Sequence, residues 1–485
     1  MNSTQSAGFV RDDADRVSRR ELAAKRKQLA KAASDTRKDS PDLPWVWLPE
    51  KGERHPNNLR TARAVRPPLH RGSSTTLGVG YPFLAETSDA MPGAFIGPDL
   101  LSKGMFSWDP WVAYGMGIIR SHSMVILGVK GSGKSMLAKS LAARLCRLRR
   151  RVAVPHDPNG EWARVAEYVG GVTVQIGPGA ADRINPLDAG TRPAHFTDEN
   201  WAYEQQQYQS HKLQAIVKIL RQTTTLPEVE HTIIDLVLQN VRARNNHVLL
   251  PAVWDELRDP TGPNAAEIRD GGLQLQHSIR RVIVGDVAGM FDKPTTVTFD
   301  SDTPMVTVDT SLVSKASDEA KALMRLTTND WIDRSSTGTA DQARLVIHEE
   351  AAVALLTEVA SGSGLTQRAA DEKVARHHGK ANLYVLHRIA DLDALGDTGS
   401  AMHSQALGLL ADCDTRITYA QHPGELGRSA AVLGWNDTQR ELVRKLQKGE
   451  GFWQIGEDTL RHVRNVCTTT EMHYFATDTH GGSRA

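Results

Sequence analysis

Cysteine is nearly absent from this chain: Cys146, Cys413 and Cys467 stand far apart among 485 residues, with no CxxC spacing. So sparse and odd a set excludes a disulfide scaffold and a cysteine zinc site, and it fits a reducing compartment. No stretch approaches the roughly 18 consecutive apolar residues that a membrane span requires. The N-terminus carries charges where a signal peptide needs an apolar core. A soluble, cytoplasmic protein is therefore expected, with peripheral docking at the inner face of the cell membrane left open. Net charge is lacking too. Lys+Arg 58 against Asp+Glu 57 leaves +1, so overall charge announces no nucleic-acid partner. No internal repeat or low-complexity tract is apparent. What remains, 40% hydrophobic and 24% charged, is ordinary globular protein with room for two or three core-bearing units.

Positive charge clusters only near the start, in "SRRELAAKRKQLAK" and "LRTARAVRPPLHR". Residues 1–72 read as a basic, partly disordered arm, helical in part and broken by prolines later. From 73 to 190 the chain is rich in strands and turns. "MVIL", "RRVAVPHD" and "GVTVQIG" are buried-strand patterns around a helical stretch, and this β-α-β alternation implies a parallel sheet. Residues 191–290 change to helical periodicity and read as an all-helical insertion. Strand signals resume over 291–485 at "TPMVTVDT", "ARLVIHEE", "ANLYVLHR", "TRITYAQH" and "GFWQIG", so the helical module splits the sheet in sequence.

The chemistry concentrates at residues 128–135. Gly128, Val129, Lys130, Gly131, Ser132, Gly133, Lys134 and Ser135 satisfy the pattern Gly-x-x-x-x-Gly-Lys-Ser/Thr, and Met136 continues into a helix. Glycines let the backbone turn so that its N–H groups converge on phosphate oxygens. Lys134 supplies a positive charge at the β/γ phosphates, and the Ser135 hydroxyl is the candidate Mg²⁺ ligand. The helix that starts here aims its positive dipole end at the same anion. A strand before and few β-branched residues after complete the context of a nucleotide loop.

Such a loop needs an acid on a nearby strand to hold the metal's waters and polarise the attacking one. "ARLVIHEEAAVALL" offers it: Leu345, Val346 and Ile347, then His348, Glu349 and Glu350. "ANLYVLHR", ending in His387 and Arg388, is a candidate neighbouring strand whose polar tip senses the γ-phosphate. His377 and His378 lack further ligands at metal spacing and read as a solvated loop.

In this order the pieces resemble the conjugative type IV secretion ATPases of the TraC/VirB-type class, within the HerA–FtsK superfamily of P-loop motors. The likeness runs from about residue 81 to the end. "YPF" and "GAFIGPDLLSKGMFSWDPW" look like that family's lead-in strands. "VPHDPNGEWARVAEYVGGVTVQIGPGAADRINPLD" is similar to its segment after the second strand, where an Asp-x-x-x-Glu pair (Asp157 and Glu161), a Gly-Gly turn and an Asn-Pro pair (Asn185, Pro186) recur. The resemblance implies an α/β, RecA-like P-loop NTPase core with a mainly parallel sheet, an all-α insertion and a short N-terminal arm. It implies ATP and Mg²⁺ as cofactors, with Asp157, Glu161 and His387 near the nucleotide, and a homo-hexameric ring docked on a membrane secretion or conjugation complex. DNA is a further candidate partner.

Three departures matter. His348 stands where the family's aspartate precedes its glutamate. Either Glu349 is the catalytic base with His348 or Glu349 in the metal's second shell, or the pair has slipped and Glu349 and Glu350 serve both roles. Leu386-His387 replaces a Thr-Gln pair on the sensor strand, and the arm is too short to be the family's long N-terminal domain. Arg416 and Arg376 occupy positions like those of the arginine that reaches a neighbouring subunit's γ-phosphate. The expected function is an Mg-ATP-driven motor for conjugative transfer. The alternatives are a nucleotide-gated scaffold that barely hydrolyses, or a HerA-like DNA translocase outside any secretion system.

Overall fold

Met124 to Leu127 are apolar at every position, and in the computed structural model all four are fully buried, as a strand covered on both faces requires. The structure describes residues 91–476 except 193–195, 246, 286, 300–301, 336–342, 350, 352–378, 392–406, 409 and 458, together with Ala24, Lys27 and Gln28. The chain forms two compact units, Met1–Pro82 and Phe83–Ala485, and the elements named below belong to the second. Most of the expected arm, the "YPF" lead-in, Glu350, Arg376, His377 and His378 fall outside the described residues.

The second unit begins with an antiparallel pair, β1 (Ala94–Pro98) and β2 (Met105–Trp108). Asp109 then starts α1 (Pro110–Gly115) by accepting the Trp111 and Val112 amides, with proline in the first turn. β3 (Met124–Leu127), α2 (Lys134–Arg147), β4 (Arg151–Asp157), α3 (Ala163–Val169) and β5 (Val172–Gln175) follow. Five helices come next: α4 (Asp198–Arg221), α5 (Glu228–Arg244), α6 (Leu250–Arg258), α7 (Ala265–Gly271) and α8 (Leu273–Val284). The chain returns through β6 (Met305–Asp309), α9 (Asp318–Arg334), β7 (Arg344–His348), β8 (Lys380–Leu386) and β9 (Thr415–Thr418). It closes with α10 (Pro423–Leu433), α11 (Asp437–Arg444), β10 (Glu450–Ile455), β11 (Thr459–Arg464) and α12 (Thr469–Phe475).

Nine of these strands form one sheet in the order β11-β10-β9-β3-β8-β7-β4-β6-β5. It is parallel from β9 to β5, with β10 and β11 added antiparallel at one side. This is a P-loop NTPase fold, and β8 alone separates β3 from β7. On one face Leu137, Leu141 and Leu145 of α2 share a core with Ile126, Leu345 and Ile347. On the other, Val125, Leu127 and Tyr384 pack with α10 and α11 through Leu426, Leu433 and Val443.

The five helices between β5 and β6 do not have a core of their own. Leu213, Ile216, Val217 and Leu220 of α4 recur at helical spacing on its buried side. They join one cluster with Val174 of β5, Val308 of β6 and Leu323 and Met324 of α9. The helical segment therefore extends the sheet's core at its β5 edge. Burying each such leucine or isoleucine contributes roughly 1.5–3 kcal/mol, which ties the segment firmly to the sheet. Among the described residues no helix is long and apolar enough to cross a membrane.

Candidate nucleotide-binding site

After Leu127 the backbone turns through Gly128, Gly131 and Gly133, whose φ values are +153°, +80° and +115°. A Cβ on Gly128 would lie 2.6 Å from the Tyr419 Cβ, so only glycine fits there. The loop is braced from outside itself: the Val129 amide donates to the Ala420 carbonyl at 3.0 Å and the Gly449 amide to the Ser132 carbonyl at 2.9 Å. Ser132 Oγ donates to the Val129 carbonyl at 2.8 Å. Lys130 and Gly131 are exposed at the tip. α2 begins at Lys134 with no side chain capping it, so the first-turn N–H groups of Lys134, Ser135 and Met136 are available to an anion.

The Lys134 ammonium is buried at the loop's centre. It donates to the Val129 carbonyl at 3.0 Å and lies 3.1 Å from His387 Nδ1. An ammonium only donates, so Nδ1 is the acceptor and the imidazole proton sits on Nε2. Burial pulls the Lys134 pKa down to about 8, against the opposing charges of Glu349 and Asp391. Uncapped amides, an ammonium and a first-turn serine suit a Mg-bound triphosphate. Gly128 to Met136 would hold the phosphates, with Ser135 on the metal. Among the described residues no group of three or more His, Cys, Asp or Glu is placed to hold a metal ion by itself.

The acid motif splits across the sheet. Leu345 and Ile347 of β7 face α2, so His348 points the other way. It stacks on Tyr384 with centroids 5.0 Å apart and lies 3.3 Å from Asn382 Oδ1, and Tyr384 belongs to the face opposite α2. Glu349 follows on the α2 side, where its Oε1 accepts the Trp162 indole N–H at 3.1 Å. Burial raises the Glu349 pKa to about 7; Lys139 and the indole hydrogen bond oppose this, and the charges of Asp157 and Glu161 add to it. His348→Asp is therefore expected to give no gain in turnover. It buries a carboxylate beside an aromatic ring, at a cost of about 2 kcal/mol or more, which thermal unfolding beside an activity assay would read.

The structure gives several sequence candidates local tasks. Asp157 Oδ2 accepts the Trp162 amide at 2.7 Å. Glu161 pairs with Lys139, fully buried on α2, at 2.9 Å. Arg416 donates to the carbonyls of Cys413 and Ala411, both at 3.0 Å. It sits level with Val125, two residues short of the strand end that leads into the loop. Reaching a neighbouring subunit would break both of its bonds. Sequence reasoning missed Lys139, Trp162 and Tyr419. Lys139 reads as one more solvated helix lysine, and only its place in "KSMLAKSLAARL", among alanines and leucines, hints at burial.

Scanned against models of known families, the sequence matches none, and no curated protein matches it. Solved structures do. VirB4 of Thermoanaerobacter pseudethanolicus is similar with a TM-score of 0.63 and 19% identity, over 80% of this chain and 100% of that one. The plasmid coupling protein TrwB, in complex with ADP and Mg²⁺, overlaps at 0.47 and 10% identity over 72% and 86%. The genome packaging NTPase B204 from Sulfolobus turreted icosahedral virus 2 overlaps at 0.31 and 9% over 71% and 98%. The chain thus has the fold of a VirB4 structure.

Proposed function

We propose that the chain is an Mg-ATP-hydrolysing motor of the conjugative type IV secretion class. The observation that carries this reading is the contact of Lys134 with His387 at the carboxyl edge of the sheet, where Glu349 follows the end of the adjoining strand β7. The ammonium of the phosphate loop lies against the tip of β8, and the charge of the carboxylate after β7 holds the lysine's pKa up against the effect of burial. Lys134 holds the β/γ phosphates and Ser135 the metal. Glu349 accepts a proton from the attacking water, and His387 donates its Nε2 proton towards the γ-phosphate. Bound Mg²⁺ supplies charge neutralisation on the phosphates.

His348 faces away from the loop, so its replacement of an aspartate does not support a scaffold that fails to hydrolyse. A homo-hexameric ring, a membrane secretion complex and DNA are the partners this reading implies. The test is phosphate release from ATP by the purified chain, with and without single- and double-stranded DNA, beside sizing of the assembly. Turnover that Lys134→Ala abolishes supports the motor; a wild type as inert as that variant removes it. His387→Ala is expected to slow turnover about tenfold to a hundredfold, the loss of one donor at developing charge. It should also blunt discrimination of ATP from ADP in a binding titration.

A further inference from the structure

Glu349 needs more than a position; a base must present one oxygen to water in a fixed direction. Among the described residues its carboxylate accepts one hydrogen bond, from the Trp162 indole at 3.1 Å. Lys134 and Lys139 act on it only as charges. The ring comes from the turn after β4 and shares the α2-side core, at 1% exposure. That turn is itself tied down: the Asp157 carboxylate, also 1% exposed, accepts the Trp162 amide at 2.7 Å, and Trp162 leads directly into α3. An indole N–H buried this deeply has a strong reason to keep its partner, because losing it leaves an unsatisfied donor.

We infer that Trp162 is the positioning residue of the ATPase: Asp157 sets the turn, and the Trp162 Nε1–H takes Glu349 Oε1 so that Oε2 is left for the attacking water. This rests on the hydrolytic reading above and gives "DPNGEW" a physical task. Asp157 and Trp162 act through Glu349, and Glu161 acts on the buried Lys139 beside it.

The test uses the full chain and two replacements, Trp162→Phe and the tryptophan isostere with sulfur in place of the indole N–H. The isostere keeps the ring's shape, so a role in packing alone leaves it at the wild-type rate. The inference expects kcat to fall about tenfold or more in both, as misorientation of a reacting group does, with KM for ATP within about twofold and the isostere's thermal midpoint unchanged. An isostere turning over at the wild-type rate overturns the inference, whether or not the phenylalanine variant folds. So does one that loses kcat and ATP affinity together. Failure of the underlying reading looks different: the wild type releases no phosphate, or Glu349→Gln does so as fast as the wild type.

Discussion

Glu349→Gln is expected to lower ATP turnover by about two to four orders of magnitude, the range that a positioned general base supplies, while ATP affinity changes little. The amide matches the carboxyl in shape and still accepts the Trp162 indole N–H, but it cannot take a proton from water. The same group predicts the pH dependence. Its pKa is raised to about 7, so the wild type should gain activity as pH rises through 7 and the carboxylate ionises. Stability runs the other way. A carboxyl whose folded pKa lies above its unfolded value contributes stability below about 4.5 that is lost as pH rises through 7. From those two values the loss is at most about 3 kcal/mol. Glutamine carries no such penalty, so above pH 7 the variant should melt higher than the wild type, and below pH 5 the gap should close. Thermal unfolding at pH 5 and pH 8 checks this. A variant that melts lower at pH 8 would show that Glu349 is held by stabilising ion pairs rather than strained by burial.

Lys134→Ala is expected to abolish turnover by an earlier failure, the loss of binding. Lys134 is 3% exposed, and its ammonium touches the Val129 carbonyl and faces His387. Charge-assisted hydrogen bonds to phosphate are each worth about 1.5–3 kcal/mol. Losing one or two should weaken ATP binding about a hundredfold, read directly by titration calorimetry. The loop itself should survive, because the bonds from Val129 to Ala420 and from Gly449 to Ser132 do not involve the lysine side chain. The two variants thus separate cleanly: Lys134→Ala binds about a hundredfold more weakly, and Glu349→Gln binds without cleaving.

The central strands were readable because strands buried on both faces are apolar at most positions, with polar residues kept mainly to their ends. The runs at 124–127, 305–309 and 344–348 are buried at every residue. β11 escaped notice because it is an edge strand, with Arg461, His462 and Arg464 along it and only Val463 buried. The phosphate loop was legible from spacing alone, since its geometry demands glycine at fixed intervals. The acid motif was legible only in part. Sequence names Glu349 as the acid but leaves the part played by His348 open, and only the structure turns His348 towards Tyr384 and Glu349 towards Trp162 on the α2 side. Asp157 and Glu161 show the same limit. The family resemblance marked them as nucleotide residues; their carboxylates meet a backbone amide and a buried lysine that no local pattern could pair with them.

The most direct test of this account follows the fate of bound ATP carrying a labelled γ-phosphate, in a single turnover of the wild type and the two variants. At an ATP concentration near the wild type's Kd, the account predicts labelled phosphate from the wild type, intact ATP retained by Glu349→Gln and little bound nucleotide on Lys134→Ala. Release of phosphate by Glu349→Gln at the wild-type rate, or a wild type that binds no ATP, would contradict it.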